Sequence, residues 1–139
     1  MSRFQELNGG RLWAVMSWDQ LTAFWGRIEP DGWYLYAVGE AVPTEPAPAA
    51  TTSEFMKRID ALLRDDHRHD YCSIVYADSL DVPTFIKIYD PNNLGVSCGF
   101  STNPPLPGWI MSRVPPEDLQ AERQAPEGRR RWWRSLFGA

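Results

Sequence analysis

The segment "GVSCG", residues Gly95–Gly99, fits the G-x-S-x-G pattern that surrounds the nucleophilic serine of the α/β-hydrolases. In that site a strand, a sharp turn and a helix follow one another, and the helix N-terminus helps to stabilise the oxyanion. Here three prolines within residues 104–107 disfavour a helix at that place. The catalytic histidine should also follow the serine, whereas both histidines of this chain precede it. The sequence therefore predicts that Ser97 is not catalytic and that Gly95 and Gly99 mark a turn that closes the sheet.

A second group of reactive residues lies in "RDDHRHDYC", residues Arg64–Cys72, which contains His67, His69 and Cys72. Histidine and cysteine are zinc ligands, and a cysteine beside a histidine can act as a nucleophile, so Cys98 could complete either site. The chain has no Cys-x2-Cys or His-x3-His spacing, and a polar helix end that leads into a strand explains the same residues. A metal-binding or thiol-dependent enzyme that uses these four residues is the alternative hypothesis. The favoured prediction is a protein without a catalytic set, a metal or a cofactor.

The C-terminal segment "RRRWWRSLFGA", residues 129–139, has the pattern of a short basic amphipathic helix, with aromatic side chains on one side and arginines on the other. Such a helix can contact an anionic membrane surface or an acidic groove on a protein partner. Two alternatives remain open, which are docking onto the chain's own acidic body and a disordered tail. The predicted partner or membrane contact residues are Arg129, Arg130, Arg131, Trp132, Trp133, Arg134, Leu136 and Phe137.

The charge of the chain is unevenly distributed. Residues 1–120 contain nine Lys and Arg against sixteen Asp and Glu, a net charge of −7, whereas residues 121–139 carry +3. An acidic body argues against nucleic acid as a partner, because phosphate contacts need clustered Lys and Arg. The sequence has no apolar run of membrane-spanning length and no apolar signal-peptide core, so we expect a cytoplasmic protein, with peripheral membrane association through the tail as an option.

The length of 139 residues suits one domain. Residues 11–39 are rich in aromatic and β-branched residues and contain the turn sequence at 30–32, which favours a meander of three strands. The competing prediction is a helix over residues 18–28 that is capped by Ser17. Residues 40–53 contain three prolines and several alanines, which indicates a semi-extended connector.

The strongest helical pattern covers residues 52–67, where four apolar residues recur on one side of the predicted helix. Thr51 and Glu54 have the spacing of a capping box, and Ser53 is a rival N-cap. The apolar stripe must be covered by a sheet. The stripe consists of Phe55, Ile59, Leu62 and Leu63.

The rest of the chain is predicted to supply the sheet and a second helix. Alternating and β-branched residues mark the strands, and a proline in the first turn marks the helix. The predicted elements are strands at 71–77 and 84–90 joined by a loop at 78–83, short strands at 95–100 and 109–114, and a short helix at 115–124.

These patterns predict an α+β fold, an antiparallel sheet of about five strands with one main helix packed on one face. We expect a single domain over residues 1–120, with the connector at 40–53 inside it, followed by the tail at 121–139. The favoured function is a small non-catalytic cytoplasmic adaptor or accessory protein that binds a protein partner. The body would contribute acidic residues and an aromatic surface, and the sequence leaves the oligomeric state open. The aromatic candidates are Trp13, Trp18, Trp25, Trp33, Tyr34 and Tyr36.

Overall fold

A computed structural model describes residues 1–94, 105–121 and 125–138 of the chain. Its five strands form one antiparallel sheet in the order β1-β3-β4-β5-β2, which confirms the predicted α+β class. The predictions for Ser97, Cys98, the two glycines of "GVSCG" and a strand at 95–100 lie outside the described residues. The elements are α1 Arg3–Asn8, β1 Trp13–Ala14, α2 Trp18–Gly26, β2 Tyr34–Ala37, α3 Ala49–Asp66, β3 Val75–Ala77, β4 Phe85–Ile88, a 3-10 turn Pro91–Asn93, β5 Trp109–Ser112 and α4 Glu127–Ser135.

The sheet is buried on both faces, because side chains alternate along each strand and each face has its own cover. One face carries Leu35, Ile86, Ile88 and Met111 and packs against α2, α3 and α4. The other face carries Tyr36, Phe85 and Ile110 and packs against Phe4 and Leu7 of α1. The described helices include none that is long and apolar enough to cross a membrane.

Helix α3 is the predicted main helix, and its apolar stripe is buried except for Leu62, which is partly buried. Phe55, Ile59 and Leu63 are at most 1% exposed in the larger core. The helix begins earlier than its sequence pattern indicates, at Ala49, so it takes in the last residues of the predicted connector. The predicted caps are therefore wrong, because Pro48 occupies the N-cap position and makes no side-chain capping bond.

The predicted meander over residues 11–39 is wrong, because residues 18–26 form helix α2. Ser17 and Gln20 form a capping box, in which the Ser17 hydroxyl accepts from the Gln20 N–H at 3.0 Å. Leu21 and Phe24, at helical spacing, are at most 1% exposed in the core. Capping and burial on one helical side outweigh the weak helix propensities of the β-branched and aromatic residues in this segment.

Two further differences concern short helices. Helix α1 is absent from the sequence-based prediction, although Ser2 and Gln5 form a capping box there as well. The predicted helix at 115–124 is not formed in its described part, residues 115–121. In that part the Leu119 N–H donates to the Tyr36 hydroxyl at 3.2 Å, and Gln120 has a positive φ of 55°, which breaks helical geometry.

The loop between β3 and β4 is organised by a single carboxylate, that of Asp78. Its Oδ1 accepts from the backbone N–H groups of Thr84 at 2.8 Å and Phe85 at 3.0 Å, and its Oδ2 accepts from the Thr84 hydroxyl. Charge-assisted hydrogen bonds of this kind are stronger than those between neutral groups. The start of β4, which carries the core residue Phe85, is therefore fixed by Asp78.

We predict that Asp78→Ala lowers the free energy of unfolding by about 1–3 kcal/mol, because two partly buried N–H groups lose their acceptor. Urea unfolding followed by circular dichroism measures the change. Asp81→Ala is the matched control, because Asp81 is an exposed residue of the same loop. Equal effects of the two substitutions would contradict the assigned role of Asp78.

Candidate functional site

The C-terminal helix α4 packs against the body of the protein through its aromatic side. The ring of Trp132 lies 6.2 Å from that of Phe55 and 5.6 Å from that of Trp109, measured between centroids, and Trp133 lies 6.0 Å from Phe55. Leu136, just after the helix, is 8% exposed and belongs to the main core. Nine helical residues are too few to be stable alone in water, so this packing is what holds α4 in its helical form.

An arginine of α4 lies between two carboxylates of the body. Arg129 donates to Asp90 through Nε at 3.0 Å and to Asp66 through Nη2 at 2.5 Å. The Arg129 side chain is 16% exposed and that of Asp90 is 9% exposed, so the pair is largely shielded from water. Burial disfavours the charged form of Arg129, but the bonds to Asp90 and Asp66 outweigh it and raise its pKa.

A second arginine extends this attachment. Arg130 Nε donates to Glu40 at 3.2 Å, and both side chains are 24% exposed. We call Glu40, Asp66 and Asp90 the anchor carboxylates of α4. Their three contacts tie the helix to the connector, to the end of α3 and to the segment after β4, so α4 is held by charge as well as by apolar packing.

The opposite side of α4 faces outward and is rich in arginine. Arg131 is exposed and takes part in no ion pair within the described ranges, and Arg134 is 50% exposed beside Glu127 at 3.9 Å. Arg58 of α3 reaches the same side, because its Nη2 donates to the Ser135 hydroxyl at 2.7 Å. We call Arg58, Arg131 and Arg134 the arginine face. Phe137, three residues after Arg134, packs against the Trp133 ring at 5.0 Å and is 48% exposed.

The structure thus matches the sequence-based alternative in which the tail docks onto the chain's own body. Within the predicted contact set, Arg129, Arg130, Trp132, Trp133 and Leu136 are used inside the protein. Within this set, Arg131, Arg134 and Phe137 remain exposed on the surface. The anchor carboxylates were not identified from the sequence, and the acidic charge of the body is the one signal that pointed to them.

The two histidines come together at the end of α3. Their ring centroids are 4.6 Å apart, and His69 stacks on Tyr71 at 5.2 Å. His67 is 7% exposed, packs against the Trp18 ring, and has no hydrogen-bond partner at Nε2 among the described residues. Burial, and to a lesser degree the neighbouring His69, lowers the pKa of His67 below its ordinary 6.5. His67 is therefore neutral at physiological pH.

The remaining residues of the metal or thiol hypothesis do not complete a site in the described part of the chain. Cys72 is fully buried, and burial raises the pKa of its thiol, which disfavours the reactive thiolate. No group of three or more His, Cys, Asp or Glu residues in the described ranges could hold a metal ion. Cys98, the fourth candidate, lies outside these ranges.

A recess of about 260 Å³ on the α1 side of the sheet is lined mainly by apolar residues and by the tyrosines Tyr76 and Tyr89. The Tyr76 hydroxyl is engaged, because it donates to the Ser73 carbonyl at 3.3 Å. Among the described residues, no His, Cys, acidic or basic side chain lines the recess.

The predicted aromatic surface of the N-terminal third is mostly core. Trp33 and Tyr36 are at most 1% exposed, and Trp25 is half-buried with its indole N–H bonded to Asp60 at 3.1 Å. Trp13 differs, because it lies on the edge strand β1 and is 51% exposed. Burial in a small two-sided core explains most of these aromatic residues without a ligand.

Comparison with known proteins adds no assignment, because no family model, curated protein or solved structure matches this chain.

We predict that Arg129→Ala lowers the free energy of unfolding by about 1–3 kcal/mol, because Asp90 stays shielded from water without its counter-charge. Urea unfolding followed by tryptophan fluorescence gives the stability. Hydrogen exchange should show loss of protection in α4. Arg131→Ala is the control and should change stability by less than about 0.5 kcal/mol, because Arg131 is exposed and forms no ion pair with the other described residues. Equal losses in both variants would contradict the docking contact.

The buried neutral His67 predicts a pH dependence of stability. Because its folded pKa lies below 6.5, the unfolded state takes up the proton first, so stability falls as pH drops below 6.5 towards the folded pKa. Urea midpoints measured between pH 7 and about 5.5, above the carboxylate range, should decrease in the wild type. The decrease should be smaller in His67→Phe, whereas His69→Phe, at an exposed position, should retain most of it. An unchanged slope in His67→Phe would exclude His67 as its source.

Proposed function

We propose that this chain is a small, non-catalytic protein-binding adaptor that contacts an acidic surface of a protein partner through the arginine face of α4 and α3. The observation that carries the proposal is the arrangement of α4, whose apolar side packs against the body while Arg131 and Arg134 project outward. Cytoplasmic location, predicted from the sequence, is part of the same proposal.

Charge supports an acidic partner. The arginine face lies on a body whose first 120 residues carry a net charge of −7, so an approaching acidic surface is attracted to this face and repelled elsewhere. Arginine presents five N–H donors in a planar fork that fits carboxylates. Arg131 has no carboxylate of its own within the described ranges, and the contact of Arg134 with Glu127 is long, at 3.9 Å. Both guanidinium groups can therefore bind another molecule's carboxylates without breaking a strong internal pair.

The residue types of this surface also favour a protein contact. Arginine and aromatic side chains are enriched in protein interfaces and among the residues that contribute most to binding. Phe137, three residues after Arg134, is 48% exposed, so it can be buried by a partner. Arg58 is already ordered by its bond to Ser135 and by its position 5.4 Å from the Trp132 ring centroid. An ordered side chain loses less conformational freedom on binding.

The docked position of α4 favours a protein over a membrane. A peripheral helix inserts its apolar side into the headgroup region, and here that side contains Trp132, Trp133 and Leu136. These side chains pack against Phe55 and the core, so insertion would first require α4 to leave the body. A protein partner can bind the outward arginines while α4 stays in place.

We predict that the double substitution Arg131→Glu/Arg134→Glu abolishes recovery of the partner without unfolding the protein. The matched control is Arg3→Glu/Arg68→Glu, which makes the same charge change at two exposed arginines elsewhere, 63% and 83% exposed. The measurement is quantitative affinity purification from the native host, with amine-reactive crosslinking at Lys57, one residue from Arg58. A partner protein should be recovered with the wild type and with the control variant, but not with Arg131→Glu/Arg134→Glu. Recovery that is equal in the two double variants would contradict the proposal.

A vesicle assay separates the two kinds of partner. Liposomes that contain phosphatidylserine should not bind the wild-type chain in sedimentation assays at physiological salt. Binding to such vesicles that is lost in Arg131→Glu/Arg134→Glu, without recovery of a protein partner, would replace the proposed protein contact with a membrane contact.

A further inference from the structure

One edge of the sheet, strand β1, has backbone groups that point away from the sheet. The Val15 N–H donates to the Val75 carbonyl at 2.8 Å, so odd-numbered residues of this segment face β3. In an antiparallel pair the intervening residues direct their N–H and C=O groups outward, which here are Leu12 and Ala14. No strand of the described ranges lies beyond β1.

The other edge of the sheet, strand β2, is protected by the chain itself. The Trp33 carbonyl accepts from the Ala47 N–H at 2.9 Å, so the connector runs beside the start of the strand. The Ala37 carbonyl at its end accepts from the Glu40 N–H at 2.9 Å. Proteins commonly cover or blunt sheet edges in this way to prevent pairing with other chains. Such protection is given to β2 and, within the described residues, not to β1.

Two exposed side chains around β1 are apolar and favour contact with another protein chain over exposure to water. Trp13 is 51% exposed, although a large aromatic residue on an open edge promotes association. The Arg11 guanidinium lies 5.7 Å from the Trp13 ring centroid, a cation–π contact that restrains the indole. Met16, three residues along the same segment, is 54% exposed.

We infer that β1 pairs antiparallel with β1 of a second copy of this chain, with the two-fold axis at Trp13. This register places Leu12 opposite Ala14 of the second copy, and the reverse, so four outward N–H and C=O pairs become hydrogen bonds. A register centred on Ala14 would need the backbone of Met16. Its N–H already donates to Gln20 at 2.9 Å and its C=O accepts from Cys72 at 2.8 Å. The free backbone groups therefore select the register.

The side chains fit the same arrangement. Trp13 meets Trp13 of the second copy at a position without direct backbone bonds, where side chains of facing residues approach most closely and aromatic pairs stabilise a sheet. Val15 lies opposite Arg11 of the second copy, so no like charges oppose each other across the junction. The contact is isologous and closes as a dimer, with one sheet continuous through both copies. It shares no residue with the arginine face, so it stands independently of the proposed function.

Sedimentation equilibrium of the full chain at high micromolar concentration tests the dimer. The wild type should sediment with twice the mass of one chain, and Trp13→Asp should raise the dimer dissociation constant at least about tenfold, because two carboxylates would face each other. Val82→Asp is the control, since Val82 is 73% exposed and lies in the β3–β4 loop, outside β1. A monomeric wild type, or equal weakening by both substitutions, would overturn the inference.

Disulfide crosslinking at position 13 tests the register of the pairing. It also tests the dimer itself if Trp13→Asp fails to fold. Facing residues of this pair type have Cα atoms about 4.5 Å apart, within the range of about 4.4–6.8 Å found in disulfides. Oxidised Trp13→Cys should therefore form a covalent dimer in high yield. Oxidised wild type measures the background from native cysteines, and Val82→Cys measures random collision. A yield for Trp13→Cys no higher than for these two would overturn the inference.

Discussion

The contact of Arg129 with Asp66 and Asp90 is the interaction on which the organisation of the C-terminal half depends. It joins the last helix to the end of the main helix and to the segment after β4. Asp66 and Asp90 precede Arg129 by 63 and 39 residues along the chain. Because Asp90 is 7% exposed, its carboxylate needs a counter-charge in the folded protein. Once Arg129 is in place, Trp132 and Trp133 lie over Phe55, and Leu136 completes the core.

This constraint decides which surfaces remain for other molecules. An undocked tail would present its tryptophans to a membrane or a groove, whereas the docked helix presents arginines on an otherwise acidic body. The sheet edge at β1 is a second, chemically different surface, formed by backbone groups and Trp13. The described residues bring His67 and His69 together without a third metal ligand, and Cys72 is buried as a protonated thiol.

Local patterns predicted those parts of the fold that depend on local physics. The apolar spacing of Phe55, Ile59 and Leu63 located the main helix, and β-branched runs located β3, β4 and β5. Helix α1 was missed and α2 was only the competing prediction, although both begin with the same signature, Ser-x-x-Gln, at Ser2 and Ser17. The low helix propensity of several residues in α2 argued against a helix there. In the folded protein, capping bonds and burial outweigh this low propensity. The anchor carboxylates could not be predicted, since their pairing with α4 depends on long-range packing that no local pattern encodes.

The most direct test of this account is a nuclear Overhauser measurement on the wild-type chain between the indole of Trp132 and the rings of Phe55 and Trp109. The docked helix predicts cross-peaks for both pairs, because the centroids lie 6.2 and 5.6 Å apart and ring protons approach more closely. Absence of both cross-peaks, together with random-coil chemical shifts for residues 127–135, would show a free tail and contradict the account.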